Sequence, residues 1–302
     1  MSNKKISVES AEAVLGLHWF AAKGDGLFAE EGLDVEILLP GVRTTRFPPG
    51  DPRMYDHRLV PSTNYQFLFE HGQVDIMRAC EWGQIRRAYD SKRGAPIVTK
   101  RPAVVCQGIY VRSDSPVNAP IQLAGKTVGV QFHQGSHYAT LSMLEGFLTR
   151  EEMKVVHAGT VRERYEALMS GEIDAATLME PWISLAEKKD CKKLIETHYL
   201  GVENAALDLD PKTLEALVRA IKKVVRNINA DKKKYIRYLI EEMPPEYAKE
   251  LTPDDFYLPR LRYVDPDPYT KEEFEKAYSW MLKWGLVGAE GSYDKLVCNV
   301  AV

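Results

Sequence analysis

A chain of 302 residues with 45% hydrophobic and 27% charged side chains is long enough for two α/β lobes with their own cores, and its make-up is that of an ordinary globular protein. The formal net charge of −3 supplies no basic field, so no nucleic-acid partner is expected and a bound anion has to be held by local groups. No run of about eighteen apolar residues occurs, which excludes a helical membrane span. Cys80, Cys106, Cys191 and Cys298 are too scattered for a disulfide framework or a zinc motif, so neither metal nor cofactor is expected.

The opening MSNKKISVES has two lysines but no apolar h-region and no small-residue cleavage site. The expected location is therefore the cytoplasm, or the periplasm if an export signal has been removed. Lys5–Glu9 alternates as a strand. Ala11–Ala22 reads as a helix with Val14, Leu17 and Ala21 on one face, ended by Gly24 and Gly26. Leu33–Leu39 is a second strand, and a β-α-β opening requires a parallel pair with a right-handed crossover. Gly41–Arg58, rich in Pro, Gly and Arg, is a loop of a length more often functional than idle.

A short helix is predicted over Ser62–His71, a buried strand over Val74–Ala79, a helix over Gln84–Lys92 and a strand over Ile97–Thr99. Cys106–Val111 leads to a polar turn at Asp114–Pro116. A second α/β series follows: strands at Thr127–Gln131, Lys154–His157 and Ile173–Leu178, with helices at Ser136–Leu148 and Arg162–Ser170. From Asp210, an N-cap with Pro211 behind it, only helices follow. Leu214, Leu217, Val218, Ile221, Val224, Val225 and Ile228 recur at helical spacing. Further helices are predicted over Lys232–Glu242 and Thr270–Trp284, the last stopped by Gly285.

The chain also echoes itself. His71-Gly-Gln-Val-Asp75-Ile precedes Glu81-Trp82, and Ser170-Gly-Glu-Ile-Asp174-Ala precedes Glu180-Pro181-Trp182. Two related lobes, each offering an acidic–Trp loop beyond its strand ends, would produce this pattern. A chance recurrence of a common α/β turn would produce it too.

Several stretches resemble a known family. Phe20–Ile37 is similar to the opening of the nitrate, taurine and alkanesulfonate solute-binding proteins and of the thiamine-precursor binders. Leu123–Val130, Gly135–Tyr138, Gly171–Asp174, Glu180–Trp182 and Phe274–Leu286 follow in that family's order. The resemblance implies a two-lobed type II periplasmic-binding-protein fold, each lobe a mixed sheet flanked by helices, with a cleft between. Residues 1–108 and 200–302 would form the first lobe, including the C-terminal helices, and residues 109–199 the second. Crossovers would lie near Cys106–Arg112 and Thr197–Asn204, the returning strand being compressed into His198–Asp208. The implied partners are a small-molecule ligand and, if the chain is exported, an ABC-transporter permease. Gln107–Val130 also resembles the hydroxybiphenyl sulfinate desulfinase, a cytoplasmic enzyme of this fold, although the position of its nucleophilic cysteine falls near Ala13.

The candidate ligand-binding residues are Gly135, Ser136, His137 and Tyr138, at a helix start with free amides for an anion. Trp82 and Trp182 would act as aromatic walls, and Glu81 and Glu180 as partners for an ammonium or a local arginine. Arg43 and Arg46 offer carboxylate or sulfonate forks, and His18 sits on the first helix. Two readings stay open. One is a protein that closes on a small, anionic organic ligand, a sulfonate, carboxylate or heteroaromatic. The other is a cofactor-free lyase or hydrolase acting on a small aromatic acid, with His137, Cys80, His18 or Glu81 as its catalytic groups.

Overall fold

The computed structural model describes residues 3–10, 13–38, 46–61 and 66–300. In chain order its elements are β1 (Lys4–Glu9), α1 (Ala13–Gly24), α2 (Leu27–Glu30), β2 (Leu33–Leu38), α3 (Phe67–Glu70), β3 (Ile76–Cys80), α4 (Glu81–Asp90) and β4 (Ile97–Val111). Then come β5 (Thr127–Val130), α5 (Gly135–Leu144), β6 (Lys154–His157), α6 (Val161–Ser170), β7 (Ala175–Leu178), α7 (Trp182–Lys188) and β8 (Lys192–Ala205). The remainder is α8 (Pro211–Ala230), α9 (Lys232–Tyr235), α10 (Arg237–Glu241), α11 (Pro245–Ala248), β9 (Arg262–Tyr263), α12 (Lys271–Lys283) and α13 (Tyr293–Leu296).

Local chemistry sets many of these bounds. Asp210 caps α8 by accepting from the Lys212 amide, and the apolar stripe from Leu214 to Ile228 is buried along the whole helix. Capping boxes open α6 at Thr160 and Glu163 and α12 at Thr270 and Glu273. Gly171, at φ 79°, ends α6 in the left-handed conformation that glycine adopts without strain.

One sheet runs through the molecule in the order β2-β1-β3-β8-β4-β7-β5-β6, with β9 paired to β4. Its ends are parallel: β1 pairs with β2 and β3, and β5 with β6 and β7. Between them β4 and β8 form a long antiparallel ribbon from Ile97↔Asn204 to Val111↔Lys192. The β3 strand joins the ribbon at Gly201–Ala205 and β7 joins it at Gly108–Tyr110, opposite ends of the same pair. These two strands therefore carry the chain from one parallel end to the other and back. Most of the buried apolar side chains form one cluster that runs through both ends, with two smaller clusters around Phe69 and Phe132.

Some expectations require correction. Ile97–Thr99 and Cys106–Val111 are parts of one strand, β4. Pro102, which cannot donate to a ladder, made the sequence look broken there. The ladder does shift register between Arg101 and Val105, and β9 pairs with the displaced Ala103 and Val104. The return strand is not compressed, because β8 begins at Lys192 and is 14 residues long. Glu81 and Trp82 are not a loop but the first turn of α4, whereas Glu180 and Pro181 do form a turn, after which Trp182 opens α7.

Candidate functional site

Two helices start where the parallel ends of the sheet face each other. In one end α4 begins directly after β3, with Cys80 at the N-cap accepting from the Gly83 amide at 3.2 Å. In the other, α5 begins after β5 with Gln134 at the N-cap, its side chain accepting from Arg87 at 3.4 Å and making no capping bond to the helix amides. The first amides of a helix have no intrahelical partner, so both starts present donors and the positive end of a dipole. They pack directly together. A Cβ on Gly135 would stand 3.4 Å from the Cys80 Cβ, and one on Gly83 would stand 3.6 Å from the His133 carbonyl.

The ribbon lies beneath this junction. Gln107 on β4 donates from Nε2 to the Tyr199 hydroxyl on β8 at 3.0 Å. The Trp82 ring lies 5.3 Å from Tyr199, 6.0 Å from Tyr138 and 5.7 Å from Trp280. Within this region Gln107 Oε1, Gln134 Nε2 and the Tyr138 hydroxyl are buried without a hydrogen-bond partner in the protein. Buried polar atoms are rarely left so, and several close together mark a place built for another molecule.

Arg101 adds charge. Its side chain is 0% exposed. Nη1 donates to the Ala79 carbonyl at 2.6 Å and Nε to the Ala103 carbonyl at 3.1 Å, while Nη2 has no partner. Among the described residues no carboxylate lies within ion-pair distance. Glu203 faces the same interior but is bonded by His18 Nε2 at 3.0 Å. Burial lowers the Arg101 pKa, the direction expected for a cation without a contacting anion. Neither Arg101 nor Gln107 was among the sequence candidates. Only their place on the ribbon, which composition and spacing do not reveal, brings them to the junction.

The predicted residues are distributed unevenly. Gly135, Tyr138, Trp82 and Cys80 meet at the junction. Ser136 turns back, its hydroxyl accepting from the Gln131 amide at 2.9 Å. His137 is buried beside His57, His133 and Phe132, with ring centroids 5.2, 6.0 and 5.0 Å away. Burial, then His57, holds its pKa well below the usual value. His18 is fully buried against Glu203. Arg46 is paired with Glu172. Arg43 lies outside the described residues.

The two tryptophans do not form a shared wall. Trp182 packs on Tyr165 and Tyr247, with centroids 5.2 and 5.0 Å away, and none of these rings is in contact with Trp82. Glu180 is committed locally, accepting from the Ser184 hydroxyl at 2.8 Å and from Arg260 at 3.1 Å. Glu81 accepts from the Tyr269 hydroxyl, and burial raises its pKa to about 7. The Cys80 thiol is pushed up to about 11 by burial, so it stands protonated as a cap rather than as a thiolate.

Two internal cavities lie elsewhere, and neither is lined by Trp82, Ser136 or Trp182. One is bounded by Trp19, Glu203, Leu217 and Val300, the other by Val14, Cys106, Glu180 and Arg260.

Comparison with known proteins agrees with this architecture. A family model described as NMT1/THI5 like matches residues 68–233. The alkanesulfonate-binding protein SsuA from Xanthomonas axonopodis pv. citri, bound to MOPS, superposes with a TM-score of 0.72 at 14% identity, covering 99% of each chain. The periplasmic nitrate-binding protein NrtA from Synechocystis PCC 6803 gives 0.67 at 12% identity, covering 97% of this chain and 84% of its own. The desulfurization enzyme DSZB gives 0.63 at 15% identity, covering 98% and 97%. These likenesses show the periplasmic-binding-protein fold. No curated protein matches the sequence.

Proposed function

Because the chain belongs to the NMT1/THI5-like family, we propose that it is a solute-binding protein that holds a small organic anion between the starts of α4 and α5. The observation that carries this is the junction itself. Two helix starts, one from each parallel end of the sheet, converge over the unpartnered donors Gln134 Nε2 and the Tyr138 hydroxyl and over Arg101, a buried cation without a carboxylate. Burying a lone charge is costly, and a sulfonate or carboxylate would supply the missing counter-charge with oxygens for the free donors. The Trp82, Tyr138 and Tyr199 rings would take the ligand's apolar body.

On this reading residues 1–108 with 200–302 and residues 109–199 act as two lobes. They would open and close about β4 and β8. A ligand touching both helix starts selects the closed state through that differential contact. The alkanesulfonate and nitrate binders among the structural neighbours support a small anion as guest, and an ABC-type import component among them supports import as the setting. A periplasmic location and a permease partner would follow.

A thermal-shift panel of alkyl and aryl sulfonates and carboxylates, each beside its neutral amide, tests the proposal. At a hundred times its dissociation constant a ligand adds about 2.7 kcal/mol to stability. Anions are expected to stabilise the protein and their amides not to, with the gain lost in Arg101→Met. Equal stabilisation by the amides, or no response to any anion, would refute it.

A further inference from the structure

We infer that Cys106, Glu196 and His198 form a binding site for a zinc-class divalent cation on the face of the β4–β8 ribbon turned away from Gln107. Consecutive residues of a strand point to opposite faces, so Cys106 and Gln107 look in opposite directions. The inference is therefore independent of the anion site.

The ladder places the ligands. Cys106 on β4 is registered directly against His198 on β8, and Gly108, two residues on, against Glu196. All three side chains thus share one face, and Gly108 adds no side chain of its own there. The Cys106 sulfur, one imidazole nitrogen and a Glu196 oxygen lie within 4.8 Å of one another. Ligands on a tetrahedral zinc stand roughly 3.5 Å apart, given bonds of about 2.0–2.3 Å. Small rotamer adjustments close that difference.

Further observations point the same way. His198 Nε2 is buried and has no hydrogen-bond partner in the protein, an exception among buried polar atoms. A small cavity is lined by Cys106 together with Glu180 and Arg260. Glu196 is exposed and leaves a path for an ion from solvent.

The nearby cations have to be weighed. Lys193 bonds Glu196 at 2.6 Å and would have to release it, but both side chains are exposed and such a pair is weakly held. Arg260 stands 3.8 Å from Glu196, yet its guanidinium is engaged by Glu180 and Glu187. Arg262 also acts on His198, so with Lys193 withdrawn the three carboxylates and a metal-bound thiolate offset the ion, Arg260 and Arg262. A thiol with an imidazole selects a borderline-soft metal over magnesium or calcium, and three protein ligands leave a fourth position for water. Such an ion would fasten β4 to β8 midway along the strands that link the two ends of the sheet.

The test is a cobalt titration of the chelator-treated full chain, read by thiolate-to-cobalt absorption, with zinc as competitor. One equivalent is expected to bind with a sulfur band that zinc removes. Cys106→Ser should abolish the band and His198→Gln should weaken binding tenfold or more, whereas Cys298→Ser, at an exposed cysteine, should leave both unchanged. Glu196→Gln, at an exposed position, decides the matter if the buried variants fail to fold, and it should also weaken binding. The inference is overturned by no stoichiometric binding, by a band that persists in Cys106→Ser, or by unchanged affinity in both Glu196→Gln and His198→Gln.

Discussion

Gly135 has no side chain where one would collide. A Cβ there would stand 2.6 Å from the Tyr199 hydroxyl and 3.3 Å from Gln107 Nε2, closer than van der Waals contact allows. Gly135→Ala is therefore expected to destabilise the protein by about 1–3 kcal/mol, seen as a lower urea midpoint with an unchanged slope. A variant as stable as the parent would contradict the close packing of α5 on the β4–β8 ribbon. The sequence named Gly135 for a different reason, as the start of an anion-binding helix. It could not show that Ser136, named beside it as a ligand-binding candidate, bonds back to Gln131. Glu180 was assigned two possible partners, and the structure supplies one of them, Arg260 from eighty residues away. Partners so distant in sequence leave no local signal.

Among the elements, the segment after β2 packs across to the far end of the sheet. Phe47 meets His157, Val60 joins Val130 and Phe132, and the His57 carbonyl accepts from His133 Nε2 at 2.8 Å. The docking surface is thus rich in buried imidazoles. Burial, then neighbouring His133, lowers the His57 pKa to about 4, and burial likewise lowers those of His133 and His137. These groups are neutral when folded and take up protons more readily when unfolded. Stability is therefore full above about pH 6.5 and lost as the pH falls below it, by up to about 1.4 kcal/mol per pH unit for each fully buried imidazole. Urea unfolding from pH 7.5 to 5 should show this slope, and His137→Phe should flatten it. The Glu81 carboxyl, raised to about 7, opposes this slope, so an identical profile in His137→Phe and the parent is the result that would show His137 is not buried as described.

Periodic elements were the most legible. The α8 stripe and its cap, the α6 and α12 helices and the parallel strands all follow from spacing and capping chemistry. The echo around Asp75 and Asp174 also acquires a cause. Asp75 accepts from the Ser7 amide and Asp174 from the Thr127 amide, both at 2.8 Å, so each fastens its turn to the neighbouring parallel strand. What stayed illegible was the joining of β4 across Pro102 and the length of β8, since both depend on pairing over nearly a hundred residues.

At the scale of the molecule, an antiparallel ribbon links two parallel sheet ends whose helix starts face each other over buried donors and an unpaired arginine. On the proposed reading a guest that neutralises Arg101 also touches both helix starts, which makes the account measurable. Hydrogen exchange with and without the anion that most raises the melting temperature should reveal added protection at Glu81–Gln84 and at Gly135–Tyr138 together, with the two stretches protected in parallel as the ligand is titrated. Protection at one helix start alone, or at neither, would contradict a ligand held between them.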